Sequence, residues 1–272
     1  MLDLKLSEYE INRIYNELNM LFDIDVSNFA FSFKMRKVNL LMHAENIFTV
    51  EDFLYRIRHS ENVKSEFIKS LFVPQSELFR DAELWNFLYK KRLLKILEKK
   101  EVKIHIPYCI NGEELYTLMF FLGLFQSSHV SILVSHPFPE NKNIISNRIF
   151  TLNDLKACQK NIEILNFAAN TEDVFIGHSN QFKINHFYGG NILFEHITIE
   201  NQQHISEFDI VVYRNRLIYY NKELQETVLR NLSASLKKGG LLIIGEKETL
   251  GQVSGKFKKL ISNLSLYKKK IF

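Results

Sequence analysis

The feature that most constrains the fold is a change in the spacing of apolar residues about one third of the way along the chain. Before it, apolar residues recur at helical spacing, and no stretch alternates like a strand. After it, short apolar runs of strand length alternate with helical segments, starting at Val102–Ile106. Such alternation favours a mostly parallel sheet with helices on both faces. We predict a helical domain at 1–72 and an α/β domain at 73–272.

Start signals support the predicted helical domain. Ser7 and Glu10 have capping-box spacing, Thr49 is a weaker helix start, and a further helix is predicted over Asn62–Leu71. In the α/β domain, Gly239 and Gly240 are expected to end the last helix. The predicted core strands are Val102–Ile106, Val130–Val134, Asp209–Tyr213 and Leu241–Ile244, and the helices are Gly112–Gln126, Leu152–Phe167 and Lys222–Lys237.

A different pattern occupies the segment at about 173–199. Short strand-like pieces at Val174–Ile176, Phe182–Ile184 and Asn191–Phe194 are separated by turn residues. Short strands with tight turns indicate an antiparallel insertion. Its exposed edge is either a site that accepts a peptide as an extra strand or part of a lid or support.

Composition and charge exclude several classes of protein. No apolar run reaches the roughly 18 residues of a membrane span, and the N-terminus lacks a signal-peptide core. We expect a cytoplasmic monomer that does not insert into membranes or bind nucleic acid, since the net charge is only +4. The histidines lack zinc-site spacing, so no metal site is predicted. The C-terminal cations are expected on a solvated face or tail: Lys256, Lys258, Lys259, Lys268, Lys269 and Lys270.

Four segments carry a resemblance to a known family. They are Phe79–Asp81, Gly112–Tyr116, Arg214–Tyr220 and Lys237–Gly245. In that order they are similar to the FFRD, GEEPYS, RNVMIYF and LKPGGLLFLG segments of the CheR family of chemotaxis-receptor methyltransferases. The helical domain and the antiparallel insertion resemble the family's other parts. The resemblance implies a class I, Rossmann-like fold that transfers a methyl group from S-adenosylmethionine (SAM) to glutamate side chains of chemoreceptors, leaving S-adenosylhomocysteine (SAH).

The resemblance also implies roles for charged residues. Arg80 would grip the SAM carboxylate with two parallel hydrogen bonds and take part in catalysis. The alternative for Arg80 is a surface ion pair with Asp81 or Glu83. Glu114 would hold the SAM ammonium group, or it is a first-turn glutamate favoured by the helix dipole.

Further site residues follow from the same resemblance. Tyr219 would orient the acceptor carboxylate near the transferred methyl group, or it is an aromatic packing residue. Gly112 lets the backbone approach the ligand, and Ser76 keeps a hydroxyl where the family has threonine. Asn215 would contact SAM, and Arg214 is either a further contact or structural.

Three departures affect the other end of SAM. Tyr108 and Ile110 are large where the family has small residues. Ser135 lies where an acid is expected to hold the ribose, and Thr198 and Ile199 lie where an adenine-reading asparagine is expected. A missing charged hydrogen bond costs about 1.5–3 kcal/mol, so weakened SAM binding is predicted.

Three functions remain open from the sequence. The leading one is a protein-glutamate O-methyltransferase, and the others are a weak or inactive adaptor and a methyltransferase with another acceptor. A chemoreceptor-like partner with an acidic helical region is expected to bind Lys34, Arg36 and Lys37, unless these residues form only a solvated helix face.

Overall fold

A computed structural model describes residues 6–21, 26–73, 77–125, 127–165, 174–184, 190–196, 199 and 207–271. The chain divides into two units. The first comprises Met1–Val73 and Arg216–Gln225, and the second comprises Pro74–Asn215 and Glu226–Phe272. The second unit therefore differs from the domain expected at 73–272, because Arg216–Gln225 is grouped with the helices.

The first unit contains α1 (Glu8–Leu21), α2 (Phe31–Ala44), α3 (Val50–His59) and α4 (Glu61–Leu71). The predicted helix starts are confirmed. The Ser7 hydroxyl accepts from the Glu10 amide at 3.2 Å, and the Glu10 carboxylate accepts from the Ser7 amide at 2.7 Å. Thr49 Oγ1 accepts from the Asp52 amide at 3.1 Å.

A buried arginine explains why the segment Arg216–Gln225 is grouped with the helices of the first unit. Arg216 is 1% exposed, and its Nη1 donates to the Leu71 carbonyl at 2.9 Å. Its Nε donates to the Tyr220 hydroxyl at 2.7 Å, and the guanidinium lies over the Phe29 and Phe72 rings. A buried guanidinium needs such acceptors and aromatic faces, and residues of the first unit supply them.

Helix α2 does not present all three predicted cations to solvent. Lys34 is buried, and its ammonium group donates to Asn12 Oδ1 at 3.2 Å and to the Ser27 carbonyl at 3.3 Å. Burial lowers the pKa of Lys34. Its assignment to a partner surface is therefore corrected, because these internal contacts engage the charge. Arg36 is exposed and Lys37 is half-buried.

The second unit begins with α5 (Ala82–Leu88), a π-helical turn (Tyr89–Leu93) and α6 (Leu94–Leu97), which run into one another. The strands that follow are β1 (Val102–Ile106), β2 (Val130–Ser135), β3 (Phe175–His178), β4 (Gln181–Ile184), β5 (Asn191–Glu195), β6 (Phe208–Val212), β7 (Leu236–Ile243), β8 (Phe257–Lys259) and β9 (Leu266–Lys269). The other α-helices among the described residues are α7 (Glu113–Leu124), α8 (Asn141–Ser146), α9 (Leu152–Leu165) and α10 (Lys222–Ser235), and the start of α10 falls in the segment grouped with the first unit. No helix in the described ranges is long and apolar enough to cross a bilayer.

The main sheet has seven strands in the order β5-β2-β1-β6-β7-β9-β8. Strands β1, β2, β5, β6 and β7 pair in parallel, and β8 and β9 run antiparallel at one edge. The order reverses between β1 and β6, which are neighbours in the sheet. In open α/β sheets, ligands bind outside the carboxyl ends of the strands at such a switch point.

The predicted antiparallel insertion is smaller than expected. Strands β3 and β4 form a separate antiparallel pair, with Phe175 opposite Ile184. Strand β5 instead pairs in parallel with β2, from Ser131 opposite Asn191 to Ser135 opposite Glu195. Placing Asn191–Phe194 in the insertion was wrong, because a short strand pattern does not reveal which strand lies beside it.

The C-terminal region also differs from the prediction. Helix α10 ends at Ser235, and the glycines lie inside β7, where Gly239 has φ +77°. The pairing shifts from Phe208 opposite Leu236 to Ile210 opposite Leu241, so the glycines lie in a bulge rather than at a helix end.

Part of the expected lysine-rich tail forms the two edge strands β8 and β9, which the sequence did not predict. The ammonium group of Lys269 donates to the carbonyls of Ser233 and Leu236, both at 2.7 Å. These carbonyls lie at the C-terminal end of α10, where a cation is favourable. At least this lysine has a structural role.

Candidate active site

The loop between β1 and α7 places a glycine at the switch point. Gly112 caps α7 with φ +94°, a conformation that glycine adopts at little cost. A Cβ atom there would lie 2.9 Å from side-chain atoms of both Ile145 and Tyr116. The position therefore requires glycine, and the protein's own side chains already occupy the space beside it.

Charged side chains converge at the start of α7 and the end of β6. The Arg214 side chain is 1% exposed and makes an ion pair with Asp81. Its Nη1 also lies 3.5 Å from Glu114 Oε1. The neighbouring Glu113 lies 3.3 Å from Arg148 Nη1. Charges this deeply buried require partners, and they are paired within the second unit.

Arg80 is held in a tight turn against α7. Phe79 and Asp81 on either side have positive φ angles of 55° and 61°. The Phe79 amide donates to Thr117 Oγ1 at 3.1 Å, and Trp85 Nε1 donates to the Arg80 carbonyl at 3.0 Å. Side-chain bonds at both ends of the turn therefore stabilise this unusual backbone.

The Arg80 side chain lies near the cluster without joining its ion pairs. It is half-buried and makes no ion pair with any residue in the described ranges. The alternative partner Asp81 is engaged by Arg214 instead. Arg80 also lies close enough to Glu114 to lower the pKa of that carboxyl, although burial outweighs this effect.

Burial makes the two glutamates of α7 weak acids. It raises the pKa of Glu114 to about 8, against the opposing effect of Arg214. It raises the pKa of Glu113 to about 7, against the opposing effect of Arg148. Each carboxyl is thus partly protonated near neutral pH and would gain from a further cationic partner.

Among the described residues, four buried polar atoms in this cluster have no hydrogen-bond partner: Glu113 Oε1, Glu114 Oε1, Arg214 Nε and Asn215 Nδ2. The two carboxylate oxygens still lie within ion-pair distance of Arg148 and Arg214. Orphaned polar groups are rare in protein interiors and call for an explanation. The amino acid end of SAM carries an ammonium and a carboxylate. Glu114 and Arg80 are the complementary groups, so the residues present fit this end of SAM.

Glu248 and Gly245, which the sequence did not single out, hold Asn215 in place. Its backbone has a φ of 57°, in the left-handed region, and its backbone N–H donates to Glu248 Oε2 at 3.0 Å. Gly245 leaves room for it, since a Cβ there would lie 2.5 Å from Asn215 Oδ1. Gly245 stands in the segment Lys237–Gly245 that carries the family resemblance, but nothing in the sequence marked Glu248. Asp81 and Arg148 were likewise not selected, because only the fold brings them to the cluster.

The predicted ribose end is organised differently. Ser135 is fully buried at the end of β2, and its hydroxyl lies 2.8 Å from His105 Nε2. Burial lowers the pKa of His105 to about 3, so the imidazole is neutral. Ile199 is buried, and its carbonyl accepts from Asn231 Nδ2 at 2.8 Å. Ser76 and Thr198 lie outside the described residues.

Tyr219 belongs to the first unit. Its ring centroid lies 4.7 Å from that of Phe33, and its carbonyl accepts from the Ala30 amide at 2.8 Å. These contacts agree with the packing alternative and leave its predicted role towards the acceptor untested.

The strand order and the glycine turn at the switch point define the class I SAM-dependent methyltransferase fold. Residues 74–265 match the CheR methyltransferase SAM binding domain, and the chain belongs to this family, whose cofactor is SAM. Among the described residues, no group of three or more His, Cys, Asp or Glu side chains could hold a metal ion.

Similar proteins extend over most of the chain. A chemotaxis protein methyltransferase of Campylobacter jejuni is 23% identical over 97% of each chain. One from Listeria monocytogenes is 24% identical over 79% of this chain and 80% of the relative. Among solved structures, the N-methyltransferase NodS of Bradyrhizobium japonicum, in complex with SAH, is 12% identical with a TM-score of 0.38, covering 72% of this chain and 89% of NodS.

Proposed function

We propose that this protein is a cytoplasmic, SAM-dependent O-methyltransferase that methylates glutamate side chains of a chemoreceptor-like protein. The observation that carries the proposal is the buried pair of Glu114 and Arg214, which keeps polar atoms without hydrogen-bond partners among the described residues, beside Arg80, an arginine without a described ion-pair partner. A ligand that carries an ammonium and a carboxylate would supply partners for these groups.

In this proposal, Glu114 accepts from the SAM ammonium group, and Arg80 donates to the SAM carboxylate. Arg214 holds Glu114 in place through their 3.5 Å contact, so we assign it a positioning role. Asn215 offers to the ligand its Nδ2, which has no hydrogen-bond partner among the described residues. Bound SAM supplies a methyl group on a sulfonium centre, which is already activated for transfer.

The acceptor needs little chemical activation. A glutamate carboxylate is a nucleophile at neutral pH, so no general base is required of the protein. The chain's task is then to align the acceptor and exclude water, effects that supply much of the barrier reduction in such reactions. Tyr219 is proposed to orient the acceptor carboxylate, a role that rests on the family resemblance.

A calorimetric titration of the protein with SAH tests the proposal. Arg80→Ala should weaken SAH binding by about one to two decades, the cost of losing charged hydrogen bonds. Arg230→Ala, an exposed arginine of α10, is the matched control and should bind like the wild type. Tyr219→Phe should bind SAH normally yet slow methyl transfer to a receptor fragment.

The outcomes separate the three candidate functions. SAH binding with transfer to receptor glutamates supports the proposal. SAH binding with transfer only to another acceptor would replace the substrate class. No heat with SAH at millimolar concentration would leave the adaptor as the better function.

A further inference from the structure

Two histidines follow neighbouring parallel strands at the ligand-binding edge of the sheet. His136 comes directly after β2, and His196 comes directly after β5. The preceding residues, Ser135 and Glu195, are paired in register. The two imidazole rings stack with centroids 5.9 Å apart and an interplanar angle of 13°.

Backbone carbonyls fix the tautomer of each ring. His136 Nδ1 lies 2.7 Å from the Phe138 carbonyl, and His196 Nε2 lies 2.8 Å from the Pro137 carbonyl. A carbonyl oxygen only accepts hydrogen bonds, so both of these nitrogens carry a proton. In the neutral rings, His136 Nε2 and His196 Nδ1 are therefore lone-pair acceptors. No residue in the described ranges hydrogen-bonds either of these nitrogens.

The His136 ring favours its neutral form. It is 3% exposed, and burial is the main cause that lowers its pKa. His196 and Lys142 lower the pKa further, whereas Glu140 and the Phe138 carbonyl raise it. At neutral pH, His136 thus keeps its lone pair for a donor.

The histidine segment is joined to the glycine loop of the SAM site. Asn141 Nδ2 donates to the Ile110 carbonyl at 3.0 Å, and Asn141 Oδ1 accepts from the Phe138 amide at 3.2 Å. The buried Asn141 therefore links the loop after β2 to the loop before α7.

We propose that His136 and His196 form a diol-binding subsite that takes the ribose of SAM, with His136 Nε2 and His196 Nδ1 accepting from the two ribose hydroxyls. The inference rests on the proposed function. In nucleotide-binding α/β folds an acidic acceptor after the second strand holds ribose hydroxyls. Here Ser135 is fully buried against His105. The residue that follows each of the two strands, His136 or His196, instead presents a ring nitrogen that makes no hydrogen bond to a described residue.

Two substitutions remove the acceptors and keep the backbone contacts. His136→Asn retains an amide donor at the Nδ1 position and lacks Nε2. His196→Gln retains a donor at the Nε2 position and lacks Nδ1. The control is His129→Gln, since His129 also contacts a carbonyl through Nε2, at 3.0 Å from Leu97 O, but lies before β2.

The test measures SAH and its 2′,3′-dideoxy analogue by calorimetry with each protein. Wild type should bind the analogue more weakly than SAH. Each variant should lose about three- to tenfold in affinity for SAH, the usual effect of one neutral hydrogen bond, and nothing for the analogue. His129→Gln should match the wild type with both ligands.

Contrary results are separable. If wild type binds SAH and the analogue equally well, the ribose hydroxyls have no acceptor and the subsite is wrong. Equal losses for both ligands in the variants would mean that the histidines act only on local structure, which also overturns it. In both cases SAH binding and methyl transfer by the wild type would leave the proposed function intact. If wild type binds no SAH, both proposals fail.

Discussion

Burial sets the acid strength of Glu114, the residue proposed to bind the SAM ammonium group. It lies in the first turn of α7, the helix that follows β1, and is 6% exposed. One of its oxygens has no hydrogen-bond partner among the described residues. The helix-dipole alternative accounts for an acid in a first turn, but it does not account for burying that acid beside Arg214. A carboxyl kept partly protonated by burial can bind an ammonium group and then ionise.

We predict that SAH binding releases protons. With a pKa of about 8, Glu114 is mostly protonated at pH 7 in the free protein, and the ligand's ammonium group favours the carboxylate. Calorimetry in buffers with different ionisation heats should show a release approaching one proton at pH 7 and little at pH 9. Glu114→Gln should remove most of this release, whereas the exposed Glu83→Gln should not. Release that is unchanged in Glu114→Gln would contradict the assignment.

The same carboxyl should affect stability. Its folded-state pKa lies above the ordinary value of 4.5, so the folded protein binds more protons than the unfolded chain between these values. The free energy of unfolding of the free protein should therefore fall as pH rises from about 5 to 8, with a slope of at most about 1.4 kcal/mol per pH unit from this group. Urea unfolding at several pH values should show a shallower fall for Glu114→Gln. A parallel profile in the two proteins would show that Glu114 titrates normally.

At the scale of elements, the junction of β1 and α7 determines the geometry of the site. Helix α7 is buried along Glu113–Gly123, so its position is set by the core around it. Its first turn carries both glutamates, and Thr117 one turn later holds the Phe79 amide next to Arg80. One buried helix thus positions groups from two separate sequence motifs.

We predict that Gly112→Ala destabilises the fold and weakens SAH binding. The residue needs φ +94°, and the added methyl would meet Ile145 and Tyr116 at 2.9 Å. Strain and overpacking of this kind cost about 1–3 kcal/mol each. Gly255→Ala is the matched control, because a Cβ there has no atom within 4 Å, and it should change the free energy of unfolding by less than about 1 kcal/mol. Equal stability of the two variants in urea would contradict the prediction.

At the scale of the whole molecule, partner binding is proposed for the first unit and SAM binding for the second. The partner surface reduces to the exposed Arg36 and the half-buried Lys37, whose ammonium lies 5.3 Å from the Phe33 ring centroid. Burial lowers the pKa of Lys37, which is a reason to expect a gain from an acidic partner.

Charge reversal tests this surface. Arg36→Glu combined with Lys37→Glu should weaken binding to an acidic receptor fragment at least tenfold at low salt, with a smaller difference at high salt. Lys64→Glu combined with Lys69→Glu on α4 keeps the same change in net charge and should have a smaller effect. SAH binding should be unchanged in both proteins. Equal losses in the two double variants would show a general charge effect rather than a surface on α2.

Local signals were sufficient where short-range physics decides the structure. The capping box at Ser7, the helix start at Thr49, the glycine at the start of α7 and the four core strands were predicted because each depends on a few adjacent residues. The motif order identified the family and its fold. The candidate residues Arg80, Gly112, Glu114, Arg214 and Asn215 were all predicted from motifs, and their roles towards SAM stay predictions. What those side chains contact was not predicted, because an ion pair such as Asp81 with Arg214 joins residues far apart in the chain.

Only the tertiary structure decided the remaining features. It placed β5 beside β2 rather than in the insertion, because strand neighbours depend on pairing across the sheet. It engaged Lys34 and Ser135 in internal contacts, since burial depends on what packs against a residue and not on its type. It also brought His136 and His196 together, from positions sixty residues apart, by pairing the strands that precede them. The sequence by itself determined the family and most of the core elements, and it predicted which charged residues would anchor the ligand, whereas long-range packing determined what those residues contact.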